Sequence, residues 1–316
     1  MANEAPVSGR TSGGVVITGA SSGIGKECAL YLDQRGYRVF AGVRKASDGE
    51  ALIKVASSRL SPVILDVTDA KAVSGAARQV AQALGELPLI GIVNNAGLWG
   101  GGAAEFVQPG EVRRVMEANL VGALAVTQAF MPMLRRSRGR IVNISSISGK
   151  MAAPFFFPYN ASKFALEALS DSLRAELKPW GINVSIVEPG AIQSAIWDKN
   201  RSALDEIFRA LPPDGVRFYG QEFAKGLNMI EGMKRAAVPA KRVAKVVEHA
   251  LTARRPRTRY LVGTDAKLMA FFHWLLPDRA FDALFATMTR RLTGSTAGSS
   301  DGKPAAPQDR ASGSAP

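Results

Sequence analysis

Six short apolar segments rich in β-branched residues alternate with segments of helical periodicity, and this alternation restricts the fold more than any other feature. The apolar segments are Val15–Thr18, Arg38–Val43, Pro62–Val67, Leu89–Asn95, Arg140–Ser145 and Ile182–Pro189. The helical segments are Ile24–Arg35, Asp48–Ala56, Ala70–Leu84, Glu111–Arg136 and Tyr159–Lys178. Strands of a parallel sheet are apolar along their length because helices cover both faces of the sheet. The sequence therefore predicts an α/β fold with a doubly wound parallel sheet.

The length and composition of the chain suit one large domain. Of its 316 residues, 47% are hydrophobic, which is enough for a sizeable core. We expect this domain at residues 14–292, after a flexible N-terminus at 1–13 and before a disordered Gly/Ser/Pro/Ala-rich tail at 293–316. The single cysteine, Cys28, excludes an intrachain disulfide and fits a reducing compartment. Because we find neither a signal peptide nor the roughly 20 apolar residues of a spanning helix, we predict a cytoplasmic location.

The net charge of +13 is concentrated near the end of the predicted domain. Between Lys234 and Arg291 there are 13 Lys and Arg residues against 4 Asp and Glu residues, a net of +9. Such a region could attract anionic lipid, nucleic acid or a phosphorylated cofactor, or it could be a solvated surface that aids solubility. The sequence has no zinc-ligand cluster, no RNA-stacking motif and no long basic arm, so we predict neither a metal site nor nucleic-acid binding.

A glycine-rich loop follows the first predicted strand, where ligands of doubly wound sheets bind. Its candidate binding residues are Gly19, Ser21, Ser22, Gly23, Ile24 and Gly25. Glycine permits a tight turn and a close approach of the backbone to a pyrophosphate, and the next helix presents free N–H groups to that anion. Gly-rich turns also occur for packing reasons, but the position between a strand and a helix favours a dinucleotide and a Rossmann-type sheet.

The ends of the second and third strands bear on which dinucleotide binds. A carboxylate after the second strand is typical of NAD sites, but this chain has Arg44 there. Arg44 could pair with a 2′-phosphate, which favours NADP(H) and leaves NAD(H) possible, or it could be a solvated loop residue. Asp66 could accept a hydrogen bond from an adenine amine, or cap the following helix as Asp69 is placed to do.

The fourth and fifth strands also end in polar residues. Asn95, Ala96 and Gly97 could offer backbone groups to a ribose or adenine face, or form an ordinary turn. Ser145 and Ser146 stand at the carboxyl end of the fifth strand, where one of the two side chains must point outward. Alternatively, these serines could cap a helix or a turn.

Tyr159 and Lys163 are four residues apart and so share one face of a helix. A phenol titrates near pH ~10, which is too high for a base at neutral pH, and a nearby cation would lower that value. A Tyr–Lys pair of this spacing is common and means little by itself. Together with the glycine-rich loop it predicts proton transfer at an alcohol or carbonyl oxygen, coupled to hydride transfer.

The chain resembles the short-chain dehydrogenase/reductase family. The resemblance rests on "TGASSGIG", "LDVTD", "NNAG", "NISSISG", "YNASK" and "EPG", in this order between Thr18 and Gly190. By this resemblance Tyr159 is the general acid/base, Lys163 its partner, Ser146 orients the substrate oxygen and Asn119 positions a proton-relay water. The resemblance also implies cofactor contacts at Asp66, Val67, Pro189, Gly190, Ile192 and Ser194, with Ser194 standing where the family carries a threonine.

Within that family, "VFAGVRK", "LDVTD" and "YLVGTDAK" are similar to the retinol and hydroxysteroid dehydrogenase branch. The similarity implies a steroid-, retinoid- or fatty-like alcohol or ketone as substrate. It also implies a substrate lid at about 195–238, where the apolar residues include Ile196, Trp197, Leu204, Phe223, Leu227, Met229 and Met233. Most of these residues must pack the lid itself.

Partner predictions follow from the helical surfaces. Small residues along the predicted helices Glu111–Arg136 and Ala161–Lys178, such as Ala161, Ala165, Ala168 and Ser172, resemble the family's two-fold contact and imply a homodimer or homotetramer. The amphipathic stretch at about 266–291 could touch a membrane interface, seal the pocket or form an oligomer contact. The alternative function is a dinucleotide-binding regulator that keeps this fold without turnover.

Overall fold

The computed structural model describes residues 13–194 and 196–292. For residues 196–200, 224, 225, 227, 229, 230 and 289–292 it describes the backbone alone. The predicted flexible N-terminus, apart from Gly13, and the predicted disordered tail lie outside the described residues. The side chains of Ile196, Trp197, Leu227 and Met229, which were predicted to belong to the lid, lie outside them as well.

A seven-stranded parallel sheet forms the centre of the molecule, in the order β3-β2-β1-β4-β5-β6-β9. These strands are β1 (Gly14–Ile17), β2 (Arg38–Val43), β3 (Leu60–Ile64), β4 (Leu89–Asn94), β5 (Arg140–Ile144), β6 (Asn183–Pro189) and β9 (Arg259–Val262). A second, two-stranded sheet pairs β7 (Ile192–Gln193) with β8 (Val238–Pro239). The strand order reverses between β1 and β4, which in this fold is where a ligand crevice opens.

Eleven α-helices accompany the strands in the described part of the chain. They are α1 (Gly23–Gln34), α2 (Ala46–Ile53), α3 (Ala70–Leu84), α4 (Pro109–Met116), α5 (Gly122–Ser137), α6 (Phe157–Glu176), α7 (Ile196–Arg209), α8 (Pro213–Ala236), α9 (Lys241–Thr252), α10 (Thr264–Leu275) and α11 (Asp278–Leu292). The Rossmann-type doubly wound fold that the sequence predicts is confirmed.

Three details differ from the sequence prediction. The helix predicted over Glu111–Arg136 is divided by a π-helical turn at Glu117–Val121. The third strand spans Leu60–Ile64, so it begins two residues and ends three residues earlier than the predicted segment Pro62–Val67. The seventh strand, β9, was not predicted, because its four residues lie in a basic region without a long apolar run.

Two apolar layers cover the faces of the sheet. On one face, α1 and α9 pack over sheet residues such as Ile17 and Val187; on the other, α3, α5 and α6 pack over sheet residues such as Ile92 and Ile141. Helix α3 shows how the sequence produces this packing, since its apolar residues recur at helical spacing and Asp69 caps its first turn through Lys71 and Ala72 N–H groups.

A third apolar cluster lies between the carboxyl edge of the sheet and the α7–α8 pair. Phe155 packs against Phe223, with ring centres 4.8 Å apart, and its backbone adopts a φ of 66°. Its carbonyl oxygen accepts a hydrogen bond from Gly102 at 2.8 Å. The pairing of β7 with β8 brings together the two ends of the segment that carries α7 and α8. This placement above the crevice suits a lid.

Candidate functional site

The loop after β1 is shaped for close approach of a ligand to the backbone. Gly19 and Gly23 have φ values of 65° and 56°, which L-residues with a side chain adopt rarely. A Cβ atom on Gly25 would collide with the Gly19 carbonyl oxygen and the Asn95 amide. Ser22, which precedes α1, makes no side-chain capping bond to that helix. The first N–H groups of α1 are therefore not capped by Ser22 and suit an anion.

Asn95 and Thr18 fix this loop to the end of β4. The Asn95 amide donates hydrogen bonds to the carbonyl oxygens of Thr18 at 2.9 Å and Gly19 at 3.1 Å. The Thr18 hydroxyl accepts from the backbone N–H groups of Asn95 and Ala96. The side chain of Asn95 therefore shapes the glycine loop, a role that the sequence did not indicate.

Arg44 and Asp66 lie together at the edge of the crevice. The Asp66 carboxylate accepts from the backbone N–H and the hydroxyl of Thr68, at 3.0 and 2.8 Å. The pKa of Asp66 is lowered, chiefly by the Thr68 backbone hydrogen bond, and Arg44 contributes to the decrease. Arg44 is exposed, and Val43, at the end of β2, offers no carboxylate.

Ser146, Tyr159 and Lys163 meet at the carboxyl end of β5. The Lys163 ammonium donates a hydrogen bond to the Ile144 carbonyl oxygen at 2.8 Å and lies 5.6 Å from the centre of the Tyr159 ring. Ser146 lies within hydrogen-bonding reach of the phenol, and its Oγ is 3.5 Å from the Pro189 carbonyl oxygen. The arrangement brings a hydroxyl, a phenol and an ammonium to one wall of the crevice.

Burial dominates the electrostatics of these groups. The pKa of Tyr159 is raised because the phenol is buried, and the hydrogen bond with Ser146 acts in the opposite direction. The decrease that the sequence predicted from Lys163 does not appear, because burial of the phenol outweighs the interactions that favour the phenolate. Burial lowers the pKa of Lys163 to about 8, and the Glu167 carboxylate opposes that decrease.

The two serines after β5 face different surroundings. Ser145 is buried, and its hydroxyl has no hydrogen-bond partner within the described part of the chain. Ser146 is partly exposed and accepts from the backbone N–H of Ser148 at 3.1 Å. Of the two, Ser146 is the one whose hydroxyl interacts with the Tyr159 phenol.

Asn119 lies in the π-helical turn and is buried. Its side chain accepts from the Leu98 N–H at 2.6 Å and donates to the Leu98 carbonyl and to the Ser162 hydroxyl, both at 2.9 Å. These bonds fix the loop that follows β4 beside Gly97 and join it to α6. Both amide hydrogens of Asn119 are therefore used within the protein, so a relay water would have to donate to its side-chain oxygen or to its backbone carbonyl oxygen.

The segment after β6 completes the crevice. Ser194 lies beside Gly23, since a Cβ placed on this glycine would lie 3.5 Å from the Ser194 Cβ. The Asp265 carboxylate, at the start of α10, accepts a hydrogen bond from the Ala191 N–H at 2.7 Å. A Cβ on Gly190 would collide with Asp265. Sequence reasoning assigned no role to Asp265, although its hydrogen bond with Ala191 fixes the backbone of this segment.

One cavity of about 760 Å³ joins these residues. The predicted site residues along its wall are Gly19, Ser21, Ser22, Gly23, Ile24, Arg44, Asp66, Val67, Asn95, Ala96, Gly97, Ser146, Tyr159, Lys163, Pro189, Gly190, Ile192 and Ser194. Gly25 and Asn119 lie behind the wall. Apolar or aromatic lining that the sequence did not place there includes Leu98, Trp99 and Ala203. The described residues contain no group of three His, Cys, Asp or Glu side chains that could hold a metal ion.

Comparison with known proteins agrees with this geometry. The family model described as short chain dehydrogenase matches residues 14–205. The chain belongs to the short-chain dehydrogenase family. It is accordingly an oxidoreductase that acts on CH–OH groups and uses a nicotinamide cofactor.

Named short-chain dehydrogenase relatives cover most of the chain. Mouse (Mus musculus) retinol dehydrogenase 5 is 40% identical over 283 residues, covering 88% of this chain and 89% of the relative. Bovine (Bos taurus) 17-beta-hydroxysteroid dehydrogenase type 6 is 40% identical over 258 residues, covering 80% of this chain and 81% of the relative. These relatives confirm the predicted resemblance to the retinol and hydroxysteroid dehydrogenase branch.

A solved short-chain dehydrogenase agrees with the fold and the cofactor class. The structure of a short chain dehydrogenase from Burkholderia cenocepacia J2315 in complex with NADP superposes with a TM-score of 0.65 at 28% identity. The match covers 89% of this chain and 99% of that chain.

Proposed function

We propose that this short-chain dehydrogenase interconverts an alcohol and a ketone or aldehyde on a lipophilic, steroid-, retinoid- or fatty-like substrate with NADP(H). The observation that carries the proposal is the convergence of Ser146, Tyr159 and Lys163 on the cavity that also contains the glycine loop. Relatives named as retinol and 17-beta-hydroxysteroid dehydrogenases support the substrate class.

The residues of the crevice fit a nicotinamide dinucleotide. The glycine loop and the start of α1 would hold the pyrophosphate, and the segment Pro189–Ser194 would hold the nicotinamide end. Arg44 would pair with a 2′-phosphate, so we favour NADP(H) over NAD(H). The short chain dehydrogenase from Burkholderia cenocepacia J2315, which was solved with NADP, supports this preference.

In the proposed mechanism, Tyr159 moves the proton and its neighbours hold the reacting oxygen. During reduction the phenol donates its proton to the carbonyl oxygen, and during oxidation the phenolate accepts the proton of the alcohol. Ser146 hydrogen-bonds that oxygen, and Lys163 stabilises the negative charge that forms on the phenolate. A bound nicotinamide would supply or accept the hydride.

The substrate end of the cavity has an apolar and aromatic wall. Phe156 and Trp99 pack edge to face with ring centres 5.6 Å apart, and both border the cavity with Met233 of α8. An apolar wall discriminates against small hydrated carbonyls, since burial of apolar surface contributes about 25 cal/mol per Å². We propose that the segment 195–238 is the lid of a single domain spanning residues 14–292.

The alternative function, a regulator without turnover, is not favoured. Asn119, Ser146, Tyr159 and Lys163 are all present, and the named relatives are dehydrogenases. A regulator would not need an acid/base group beside the crevice.

We further propose a homodimer or homotetramer formed through α5 and α6. Their outer surfaces and the turn after α6 expose large apolar side chains at Val121, Phe164 and Trp180. Isolated exposed apolar residues are ordinary, but several near two adjacent helices suit a second copy of the chain. Sedimentation measurements on the wild type and a Phe164→Glu variant would test this interface.

We also propose that α10 contacts a membrane surface peripherally from the cytoplasmic side. Leu268, Phe271, Trp274 and Leu275 are exposed, Trp274 to 79%. Basic residues such as Lys267 and Arg279 flank this face and suit anionic lipid. Among the described residues, no helix combines the length and hydropathy needed to cross a bilayer.

The first test is a fluorescence titration with NADPH and NADH, followed by turnover of steroid, retinoid and small carbonyls beside a Tyr159→Phe variant. The proposal expects tighter binding of NADPH and turnover of lipophilic carbonyls that requires Tyr159. Tighter binding of NADH would contradict the role of Arg44. Equal turnover by the Tyr159→Phe variant would contradict the mechanism.

A further inference from the structure

A cluster of charged groups is buried behind the active-site wall. Glu188, the penultimate residue of β6, is fully buried, and its Oε2 has no hydrogen-bond partner within the described residues. Its Oε1 lies 3.2 Å from the Lys150 Nζ and 3.2 Å from the Arg259 Nε. A buried carboxylate of this kind is costly unless its charge is compensated, so the cations that face it are part of its role.

Arg259 joins this carboxylate to α6. Its Nη2 lies 3.2 Å from the Glu167 Oε2 and 2.7 Å from the Asp171 Oδ2. Glu167 is only 7% exposed, and its Oε1 has no hydrogen-bond partner in the described part of the chain. Asp171, one turn further, is partly exposed and also binds Arg174. The guanidinium therefore holds one buried and one solvated carboxylate of the same helix.

Glu167 lies one helical turn after Lys163, on the same face of α6. A Cβ placed on Gly149 would meet the Ser145 Oγ at 2.8 Å, the Glu167 Cγ at 3.0 Å and the Lys163 carbonyl oxygen at 3.1 Å. The Glu167 side chain therefore packs directly against the short turn that begins at Ser146. Its carboxylate opposes the loss of charge that burial imposes on Lys163.

We propose that Glu167 is a positioning residue for Lys163: its carboxylate, fixed by Arg259 and packed beside Gly149, supplies the buried counter-charge one helical turn from the catalytic ammonium. The inference rests on the proposed function, in which Lys163 acts as a cation. The charged groups facing Glu167 and Lys163 are Tyr159 and Asp171 on α6, Glu188 on β6, Arg259 on β9 and Lys150 after the turn that follows β5. Of these, Glu167 is the one carboxylate that perturbs Lys163 directly.

The sign of the effect follows from the charges. A carboxylate favours the protonated amine, so removing its charge moves the deprotonation of Lys163 to lower pH. The expected displacement is about 1 pH unit, the low end of the effect of a nearby opposite charge, since Arg259 partly neutralises Glu167. The alkaline limb of kcat/KM for carbonyl reduction should move by the same amount.

The test uses the full chain with Glu167→Gln, Glu167→Asp and the control Asp171→Asn, which loses a partner of the same arginine. The pKa of Lys163 is followed by NMR of labelled lysine, assigned with Lys163→Arg, and kcat/KM is measured between pH 6 and 10. We expect Glu167→Gln to lower the NMR pKa and the kinetic limb together, with an unchanged Kd for NADPH at pH 6. Glu167→Asp should retain most of the wild-type value, and Asp171→Asn all of it.

Two outcomes would overturn the inference: an unchanged Lys163 pKa in Glu167→Gln, or an equal displacement in Asp171→Asn. If Glu167→Gln does not fold, the Lys163 pKa measured in Glu167→Asp tests the inference. Its shorter side chain draws the carboxylate away from Lys163, so the pKa must decrease slightly, and an unmoved value counts against the inference. If no carbonyl is reduced by any form, including the wild type, the proposed function fails, while the NMR titration still decides the role of Glu167.

Discussion

Replacing Lys163 with methionine should abolish activity and at the same time stabilise the protein. Burial lowers the pKa of Lys163 from an ordinary value of 10.5 to about 8. Because one pKa unit corresponds to about 1.36 kcal/mol, holding this ammonium inside the protein costs about 3 kcal/mol of folding free energy. Methionine removes that cost but leaves the Ile144 carbonyl oxygen without its donor, which costs about 1–2 kcal/mol. The net gain is about 1–2 kcal/mol, or about 2–8 °C in Tm.

The sign of the pH dependence can be checked separately. The lysine is protonated in both folded and unfolded chains below pH 8, so its full cost is present there. Between about pH 8 and 10.5 the folded chain has lost this proton while the unfolded chain keeps it, and the wild type gains stability as the pH rises. The advantage of Lys163→Met should therefore be constant below pH 8 and shrink above it.

Urea unfolding of wild type and Lys163→Met between pH 6.5 and 10 measures these differences. Carbonyl reduction should decrease at least about 100-fold, the usual minimum for an acid/base group and its partner. Lys178→Met, which replaces an exposed lysine beyond the end of the same helix, is the matched control and should show neither effect. A correctly folded Lys163→Met variant that is less stable than wild type at pH 7, or an advantage that does not change with pH, would refute the reasoning.

Three further changes test other parts of the structure. Burial and the neighbouring Glu167 carboxylate raise the pKa of Glu188 above its ordinary value, so above that ordinary value the folded chain binds more protons than the unfolded chain and stability decreases as the pH rises. Glu188→Gln should lack this decrease, and the same dependence of stability on pH in the variant and the wild type would contradict it. Asp265→Ala leaves the Ala191 N–H without its acceptor and should raise the Kd for NADPH about tenfold in a fluorescence titration. An unchanged Kd would show that the segment after β6 keeps its conformation without Asp265. Phe130→Ala should cost about 3–5 kcal/mol of unfolding free energy, because this side chain is fully buried between α3, α5 and the sheet, and a loss below about 1 kcal/mol in urea unfolding would contradict that packing.

The sequence was sufficient for features that neighbouring residues produce. The alternation of apolar strands and amphipathic helices identified the doubly wound sheet, because each element displays its period in its own residues. The glycine loop after β1 and the Tyr159–Lys163 spacing on α6 were visible for the same reason. Asp69 was correctly placed as a helix cap from its position before α3.

Only the tertiary structure decided which distant groups meet and what burial does to them. Arg259 and Glu167 are 92 residues apart in the chain. Asp265 is 74 residues from Ala191, whose N–H donates a hydrogen bond to the Asp265 carboxylate. No local period links such pairs, since they meet where different strands and helices end at one edge of the sheet. Burial also reversed the expected direction of the Tyr159 pKa, because exclusion of solvent disfavours the charged phenolate. The sequence alone thus determined the fold and led to the proposed reacting groups. Their charge states depend on the exclusion of solvent and on a three-dimensional arrangement that no linear pattern contains.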